Sequence, residues 1–426
     1  MNKLYPIVIS VILFLGTSII TSIGSPTMKP SGDITLPPSF SVNMSFRDAI
    51  QSRCSVRTFT DDPIGDDILS TILWTAYGYR DDGSRTILGI NDHSSIIYVF
   101  REDGTYTYNP FNHSLMLFSE EDLRNTVNPN HHAPIQLGLV WNQSMNREGN
   151  ISVIEMGAIG QNIYFITKAL GLGTVTAAQA DFDKIGLPDN QIGRIIMPIG
   201  YPDEPPILEY YPNLISTFPR LQNSTVNITT VIKNRIEEES YTGDVSKQEL
   251  SQLIWASYGY SYFIDITHSS TNHVERHRTV PSAVSVYPLD MYIITESAIF
   301  CYVPHILNLN PYSPNPLYNP NWKFPIISFL FPIRLGDYRA EIAQASSQPG
   351  IDSAPLIIIP VLSTTTLYSQ WYWYFEAGAS SHNVMLEATL LDLHAGIEKP
   401  DDLTLIQSTL RLRRNSLPII IIPVGE

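Results

Sequence analysis

The strongest constraint on how this chain folds is an internal duplication, because similarity at a long period fixes the number of folding units. The segment LSTILWTAYGY, Leu69–Tyr79, recurs as LSQLIWASYGY, Leu250–Tyr260. Shorter pairs follow in the same order along the chain: Arg85-Thr86 with Arg278-Thr279, Glu155-x-Gly157 with Glu376-x-Gly378, Gln161-Asn162 with His382-Asn383, and Met197–Gly200 with Ile422–Gly425. The sequence therefore predicts two copies of one domain, repeat 1 over 40–202 and repeat 2 over 231–426, joined by an arm over 203–230.

Length and charge agree with two domains and exclude some partners. A chain of 426 residues with 43% hydrophobic content exceeds what a single core usually organises. Its formal net charge of -15 argues against binding polyanions, which needs basic surfaces. We therefore expect no nucleic-acid partner.

The N-terminal residues 1–26 differ from the rest of the chain. Lys3 precedes an apolar run over 6–23, which is typical of a cleaved signal peptide or of a membrane anchor, and the sequence does not separate the two. Six N-x-S/T sequons follow, at Asn43, Asn112, Asn142, Asn150, Asn223 and Asn227. Together these features predict an extracytoplasmic protein, secreted or membrane-anchored, and glycosylated.

Within each copy the hydrophobic pattern is that of an α+β domain. Helical spacing is seen at Ile68, Leu69, Ile72, Leu73 and Ala76, and Ser246 with Glu249 forms a capping box before the equivalent helix. In each copy the pattern then predicts a hairpin, a long helix and a final apolar strand. In repeat 1 these are the hairpin 95–100 with 104–108, the helix 155–170 and the strand 194–199. In repeat 2 they are the hairpin 291–295 with 299–303, the helix 376–393 and the strand 417–424.

Cysteine and histidine usage predicts no metal site. Cys54 and Cys301 are two thiols far apart in sequence, which we interpret as free. The loop histidines have no standard ligand spacing and are expected to be solvated: His131, His132, His268, His273 and His277.

The segment Arg53-Cys54-Ser55-Val56-Arg57 carries the clearest binding chemistry. Two guanidinium groups and a hydroxyl at alternate positions suit a phosphate monoester, since arginine donates paired, charge-assisted hydrogen bonds to phosphate oxygens. Taken alone, the same pattern also describes a solvated basic turn.

With the following L-S-x-I-L-W-x-A-x-G, this segment resembles the opening of the nitroreductase family, whose equivalent residues bind the phosphate of FMN. In repeat 2, the segment Arg278–Tyr292 is similar to the R-T-x-P-S-A-x-x-x-Y-P signature of the thiazole/oxazole dehydrogenase branch of that family. The resemblance implies two tandem nitroreductase-like domains, each an antiparallel or mixed sheet flanked by helices. It also implies FMN as the cofactor and a small-molecule substrate.

The two copies depart from the family pattern in opposite ways. Repeat 2 has the acidic run Glu237–Glu239 where repeat 1 has its phosphate motif, and repeat 1 has Ile87–Asn91 where repeat 2 has its Pro-Ser loop, Pro281–Ala283. Because family members bind FMN at a dimer interface, this predicts a monomeric pseudodimer with one composite flavin site. The residues assigned to that site are Arg53, Cys54, Ser55, Arg57, Gln161, Thr176, Ala177 and Ala178 of repeat 1, and Pro281, Ser282 and Ala283 of repeat 2.

No catalytic side chain is predicted, because in flavoenzymes the cofactor carries the reaction. The azoline-oxidising branch has a Lys-Tyr pair before its E-x-G helix, whereas this chain has the aromatic run Leu367–Phe375 without lysine. Azoline oxidation is therefore not implied. The alternative to an FMN oxidoreductase is a catalytically degenerate protein on the same fold, which holds flavin without turnover or has become a cofactor-free surface binding module.

Overall fold

The structure is a computed structural model of the chain, and it describes residues 32–87, 93–146, 148–209, 217–236, 240–262, 264–265, 277–283, 286–304, 328–363 and 371–426. Several sequence predictions lie outside these residues: the leader over 1–26, Leu88–Asn91, Glu237–Glu239, His268 and His273. The described part of the chain contains no helix with the length and apolarity needed to span a bilayer.

Repeat 1, with the start of the arm, alternates helices with strands, and all of these strands but the last belong to one antiparallel sheet. Its elements are β1 (Ile34–Thr35), α1 (Phe46–Ser52), α2 (Asp66–Tyr77), β2 (Ser95–Arg101), β3 (Gly104–Asn109), β4 (Ser114–Ser119), α3 (Arg124–Val127), β5 (Ile135–Asn142), α4 (Gly149–Ala169), β6 (Gly173–Thr174), β7 (Gln191–Gly200) and β8 (Leu208–Glu209).

Repeat 2 follows the same plan. Its elements are α5 (Ile228–Asn234), α6 (Lys247–Tyr258), β9 (Ile264–Asp265), β10 (Leu289–Ile294), β11 (Ala298–Val303), β12 (Phe329–Leu335), α7 (Arg339–Ala343), β13 (Leu356–Ser363), α8 (Trp371–Leu390), β14 (His394–Ala395), α9 (Leu403–Thr409), β15 (Ser416–Pro418) and β16 (Ile422–Gly425). The capping box at Ser246 and Glu249, expected from the sequence, opens α6.

The strand order shows that the two repeats share one topology. The first sheet runs β1-β4-β3-β2-β5-β7-β6, and the second runs β12-β11-β10-β13-β16-β14 with β15 also paired to β13. Each strand of one sheet has an equivalent at the same place in the other, except β1 of the first sheet and β15 of the second. The fold is thus α+β, with two tandem domains as the sequence predicted.

Helices α4 and α8 form the contact between the repeats and belong to both cores. Every residue from Ile151 to Thr167 of α4 is buried, so this helix is enclosed on all sides. A Cβ added to Gly157 would overlap the carbonyl oxygen of Phe375, and one added to Gly378 would overlap that of Ile154. The two E-x-G glycines therefore let the helix backbones touch, and the repeats pack as an intramolecular pseudodimer.

A second reciprocal contact joins the segments before α1 and α5. The Phe46 amide donates to the Val226 carbonyl at 3.0 Å, and the Ile228 amide donates to the Met44 carbonyl at 3.2 Å. Helix α5 starts at Ile228, so the predicted arm over 203–230 includes β8 and the first turn of this helix.

The long helices differ from their predicted bounds at the ends. Helix α4 begins at Gly149, six positions before Glu155, and the added stretch includes the buried apolar residues Ile151, Val153 and Ile154. Helix α8 begins at Trp371 and ends at Leu390, and Asp392 then adopts a left-handed conformation with φ of 59°. The aromatic residues 371–375 are therefore the first turn of α8.

Candidate functional site

A cleft between the repeats collects most of the residues that the sequence assigned to a cofactor. Its empty space is about 600 Å³, including the part open to solvent. Repeat 1 supplies Ser55, Arg57, Tyr164, Val175, Thr176, Ala178 and Ile195, and repeat 2 supplies Pro281, Ser282, Ala283, Trp371, Tyr372 and Phe375. Arginine is thus the only charged residue type in this lining.

The extended segment after α1 places Ser55 and Arg57 on the cleft. Between them, the Val56 amide donates to the Thr174 carbonyl at 2.9 Å, which fixes the segment beside β6. Since side chains alternate along extended backbone, Ser55 and Arg57 point to the same side while Val56 points to the core. Arg57 is exposed and forms no ion pair or hydrogen bond with the described residues.

Tyr164 of α4 joins two sides of the cleft through one hydroxyl. The hydroxyl oxygen lies 3.1 Å from Ser55 Oγ and accepts a hydrogen bond from the Thr176 amide at 2.9 Å. The Tyr164 side chain is otherwise buried. Sequence reasoning missed this residue, although it lies three positions after Gln161, on the same face of a helix already considered.

The Pro-Ser loop of repeat 2 is held by repeat 1. Arg53 is buried, and its Nη2 donates to the carbonyls of Arg278 and Val280, both at 3.2 Å. The loop is also closed on itself, because the Tyr287 amide donates to Ser282 Oγ at 2.9 Å. Arg53 thus supports the loop that forms one wall of the cleft.

Four of the assigned residues do not line the cleft. Arg53 lies behind the Pro-Ser loop, and Cys54 is buried in a small apolar cluster with Val56 and Tyr262. Gln161 is fully buried between the repeats, and Ala177 pairs with Ile196 of β7. Contact of these four with a cofactor stays a prediction.

The aromatic run before the E-x-G helix divides between cleft and core. Trp371, Tyr372 and Phe375 line the cleft, whereas Trp373 is fully buried in the core of repeat 2. The cleft wall on this side is therefore aromatic and belongs to repeat 2.

A reciprocal pair of polar contacts lies between α4 and α8. Gln161 Nε2 donates to Asn383 Oδ1 at 2.8 Å, and His382 Nε2 lies 2.8 Å from Asn162 Oδ1. Because Asn162 Nδ2 donates to the Thr75 carbonyl, His382 is the donor in its pair. Burial lowers the pKa of His382 to about 3, so this imidazole is neutral at ordinary pH.

The E-x-G glutamates, Glu155 and Glu376, are both buried and both accept a hydrogen bond from a tyrosine hydroxyl, that of Tyr77 and Tyr258 respectively. Burial raises the pKa of Glu376 to about 7. Among the described residues, no group of three or more histidine, cysteine, aspartate or glutamate side chains is arranged to hold a metal ion.

Comparisons with known proteins find similarity in both repeats. The sequence profile described as the Nitroreductase family matches residues 50–201 and 241–426, which is most of the chain and falls in both repeats. A nitroreductase-family protein of Methanocaldococcus jannaschii is 28% identical over 196 residues, covering 41% of this chain and 94% of the relative. A solved nitroreductase-family structure from Anabaena variabilis superposes with a TM-score of 0.61 at 12% identity, covering 94% of each chain. The archaeal relative thus matches less than half of this chain, whereas the Anabaena protein matches nearly all of it.

Proposed function

Because the chain belongs to the nitroreductase family, we propose that it is an FMN oxidoreductase that binds one flavin in the cleft between its repeats. The observation that carries the proposal is the cleft itself, which collects phosphate-binding residue types from repeat 1 and the Pro-Ser loop from repeat 2. FMN would supply the hydride or electron transfer to a small substrate.

The residues of the cleft fit the two ends of FMN. Ser55 and the exposed Arg57 suit the phosphate, since among the described residues no carboxylate lines the cleft to compete for that guanidinium. Small side chains at Ala178 and Ala283 leave room for a planar ring, and the aromatic wall of repeat 2 excludes water from it.

The number of sites follows from the equivalence of α1 and α5. Arg53 follows the last residue of α1 and Arg235 follows the last residue of α5, so the two arginines are equivalent. Counting onward, Ser55 and Arg57 correspond to Glu237 and Glu239. Carboxylates repel a phosphate dianion, which supports one flavin per chain rather than two.

The visible absorption spectrum tests the proposal directly. The purified chain, or the apo chain mixed with FMN, should show the yellow spectrum of oxidised flavin at one equivalent per polypeptide. A colourless protein that cannot be reconstituted would contradict FMN binding, and two equivalents would contradict the single composite site. Bleaching of the bound flavin by a reduced nicotinamide, followed by reoxidation with a nitroaromatic compound, would separate an enzyme from a flavin-holding relative.

We also propose that the protein works outside the cytoplasm, on the leader and the sequons of the sequence. Asn112 is exposed at the turn between β3 and β4, so its side chain is accessible for a glycan. Treatment of the native protein with an N-glycosidase should lower its mass. An unchanged mass, together with protease resistance in intact cells, would contradict this location.

A further inference from the structure

The two equivalent glutamates of the E-x-G helices have different surroundings. In repeat 1, both carboxylate oxygens of Glu155 have partners. Oε1 lies 3.0 Å from the Tyr77 hydroxyl and 2.6 Å from His93 Nδ1, and Oε2 accepts from the Ser94 amide and the Ser95 hydroxyl. The carboxylate on the side without the Pro-Ser loop is therefore fully satisfied.

In repeat 2, Glu376 is only half satisfied. Its Oε1 accepts from the Tyr258 hydroxyl, but its buried Oε2 has no hydrogen-bond partner among the described residues. Buried polar atoms in folded proteins nearly always have a partner, so this oxygen calls for one.

Ser282 is the neighbour able to supply it. Its Oγ already accepts the Tyr287 amide, while its own hydroxyl hydrogen has no acceptor among the described residues at normal hydrogen-bond geometry. The Ser282 hydroxyl lies close enough to the Glu376 carboxyl to lower its pKa, although the two groups do not meet at normal hydrogen-bond geometry. Ser282 also lines the cleft, so it connects the buried carboxyl with the proposed ligand.

The other charged and titratable groups around Glu376 do not pair with Oε2. The Tyr258 hydroxyl of α6 donates to Oε1, and Arg278 Nη1 donates to the Tyr258 carbonyl. Arg53 Nη2 donates to the carbonyls of Arg278 and Val280. The positive charges of Arg278 and Arg53 lower the pKa of Glu376, but burial outweighs them. The Tyr287 ring faces Arg278, and its hydroxyl accepts a hydrogen bond from the Arg278 amide at 3.3 Å; within the described residues it forms no hydrogen bond with Glu376.

We propose that Glu376 is a positioning residue that decides which hydrogen-bonding group Ser282 presents to the cleft. When Glu376 is ionised, its Oε2 accepts a hydrogen bond from the Ser282 hydroxyl. Ser282 then presents only its oxygen, a hydrogen-bond acceptor, to the cleft. When Glu376 binds one proton from solvent, its own hydroxyl donates to Ser282 Oγ, and the Ser282 hydrogen turns into the cleft. Apart from the O–H bond that this protonation forms on Glu376, no covalent bond changes.

This inference rests on the proposed function, because the ligand in the cleft is FMN. The isoalloxazine ring offers several acceptors, so a hydrogen donated from Ser282 should strengthen FMN binding. One neutral hydrogen bond corresponds to about three- to tenfold in affinity. Affinity for FMN should therefore fall by this factor as pH rises through the range in which Glu376 loses its proton.

The test titrates the full-length apo protein with FMN between pH 5.5 and pH 8.5, following flavin fluorescence, in four proteins: wild type, Glu376→Gln, Ser282→Ala and Glu155→Gln. In Glu376→Gln the new side-chain amide donates to Ser282 as the protonated acid does, so this variant should keep the high affinity of low pH throughout. Ser282→Ala should lose the pH dependence of wild type, and Glu155→Gln, the matched control from the other repeat, should keep it. The FMN phosphate also titrates near pH 6, but equally in all four proteins. A wild-type pH profile retained in Glu376→Gln or in Ser282→Ala overturns the proposal.

A second measurement does not depend on flavin. In infrared difference spectra of the apo protein between low and high pH, Glu376 should give the carbonyl band of a buried protonated carboxyl. The band should disappear in Glu376→Gln and shift in Ser282→Ala. Glu387, whose pKa burial also raises to about 7, is identified by Glu387→Gln. If wild type binds no FMN at any pH, the proposed function fails, while an unshifted band in Ser282→Ala still overturns the coupling.

Discussion

Among single residues, Tyr164 connects two segments that line the repeat 1 side of the cleft. One buried hydroxyl meets both Ser55 and the Thr176 amide, so the phosphate segment and the loop after β6 share a single hydrogen-bonding partner. Removal of this one oxygen atom should therefore affect both segments of repeat 1.

Tyr164→Phe should destabilise the protein and weaken FMN binding. Removing the hydroxyl leaves the Thr176 amide without its partner, which typically costs about 1–3 kcal/mol. Tyr106→Phe is the matched control, since the buried Tyr106 hydroxyl has no hydrogen-bond partner among the described residues. Urea unfolding of both variants checks the prediction, and equal free energies of unfolding for the two would contradict it.

Arg57→Ala should weaken FMN binding without weakening the fold. Arg57 is exposed and makes no contact that the fold needs, whereas a charge-assisted hydrogen bond to phosphate is worth about 1.5–3 kcal/mol, or tenfold and more in affinity. Arg414→Ala removes another exposed arginine, in repeat 2 and outside the cleft. Fluorescence titration should separate the two variants, and unchanged affinity in Arg57→Ala would remove this side chain from the site.

His382 makes the interface between the repeats sensitive to acid. Its pKa is about 3 in the folded protein and near 6.5 in the unfolded chain, so the unfolded chain binds an extra proton as pH falls below 6.5. Stability contributed by this residue is thus present above pH 6.5 and is lost as pH falls, by about 2 kcal/mol at pH 5.

His382→Gln should remove this part of the acid sensitivity. Glutamine is what repeat 1 has at the equivalent Gln161, and its amide can keep the hydrogen bond to Asn162. The loss of unfolding free energy between pH 7 and pH 5 should be smaller in His382→Gln than in wild type, whereas His132→Gln, at an exposed histidine, should change nothing. Equal losses in wild type and His382→Gln would show that His382 is charged in the folded state.

At the scale of elements, the contact of α4 with α8 depends on the absence of two side chains. Gly157→Ala and Gly378→Ala should each destabilise the protein by about 1–3 kcal/mol, because the added methyl group overlaps a backbone carbonyl that cannot move alone. Helix propensity alone predicts the opposite sign, a gain of about 1 kcal/mol. Lys168→Ala, in the last turn of α4, serves as the control in urea unfolding. A stabilised Gly157→Ala would mean that the helices are not in backbone contact.

How far the sequence predicted the structure depends on whether a feature is local. The equivalent helices, both hairpins and the capping box of Ser246 follow from periodicity and short-range hydrogen bonds, and they are confirmed. The roles of Arg53 and Gln161 did not follow, because both point into contacts with the other repeat at sequence separations above 100 residues. Tyr164 was missed because its partners lie in two other segments of repeat 1, Ser55 at a separation of 109 residues and Thr176 at 12.

For the whole molecule, the shared helices predict cooperative unfolding. Neither α4 nor α8 can be uncovered without exposing buried surface of both repeats, so the chain should unfold as one unit. Urea transitions followed by far-UV circular dichroism and by tryptophan fluorescence should coincide, as tryptophans lie in both repeats. A plateau between two transitions would show that the repeats fold independently.

The covalent link between the two repeats, through the arm over 203–230, has a consequence for assembly. A site built between two separate chains exists only while they are associated, and mass action removes it on dilution. Here the polypeptide itself connects both sides of the cleft, so each half meets the other at a local concentration fixed by the arm and independent of how much protein is present. A cleft formed in this way persists at any dilution, and each half can change its sequence without imposing the same change on its partner.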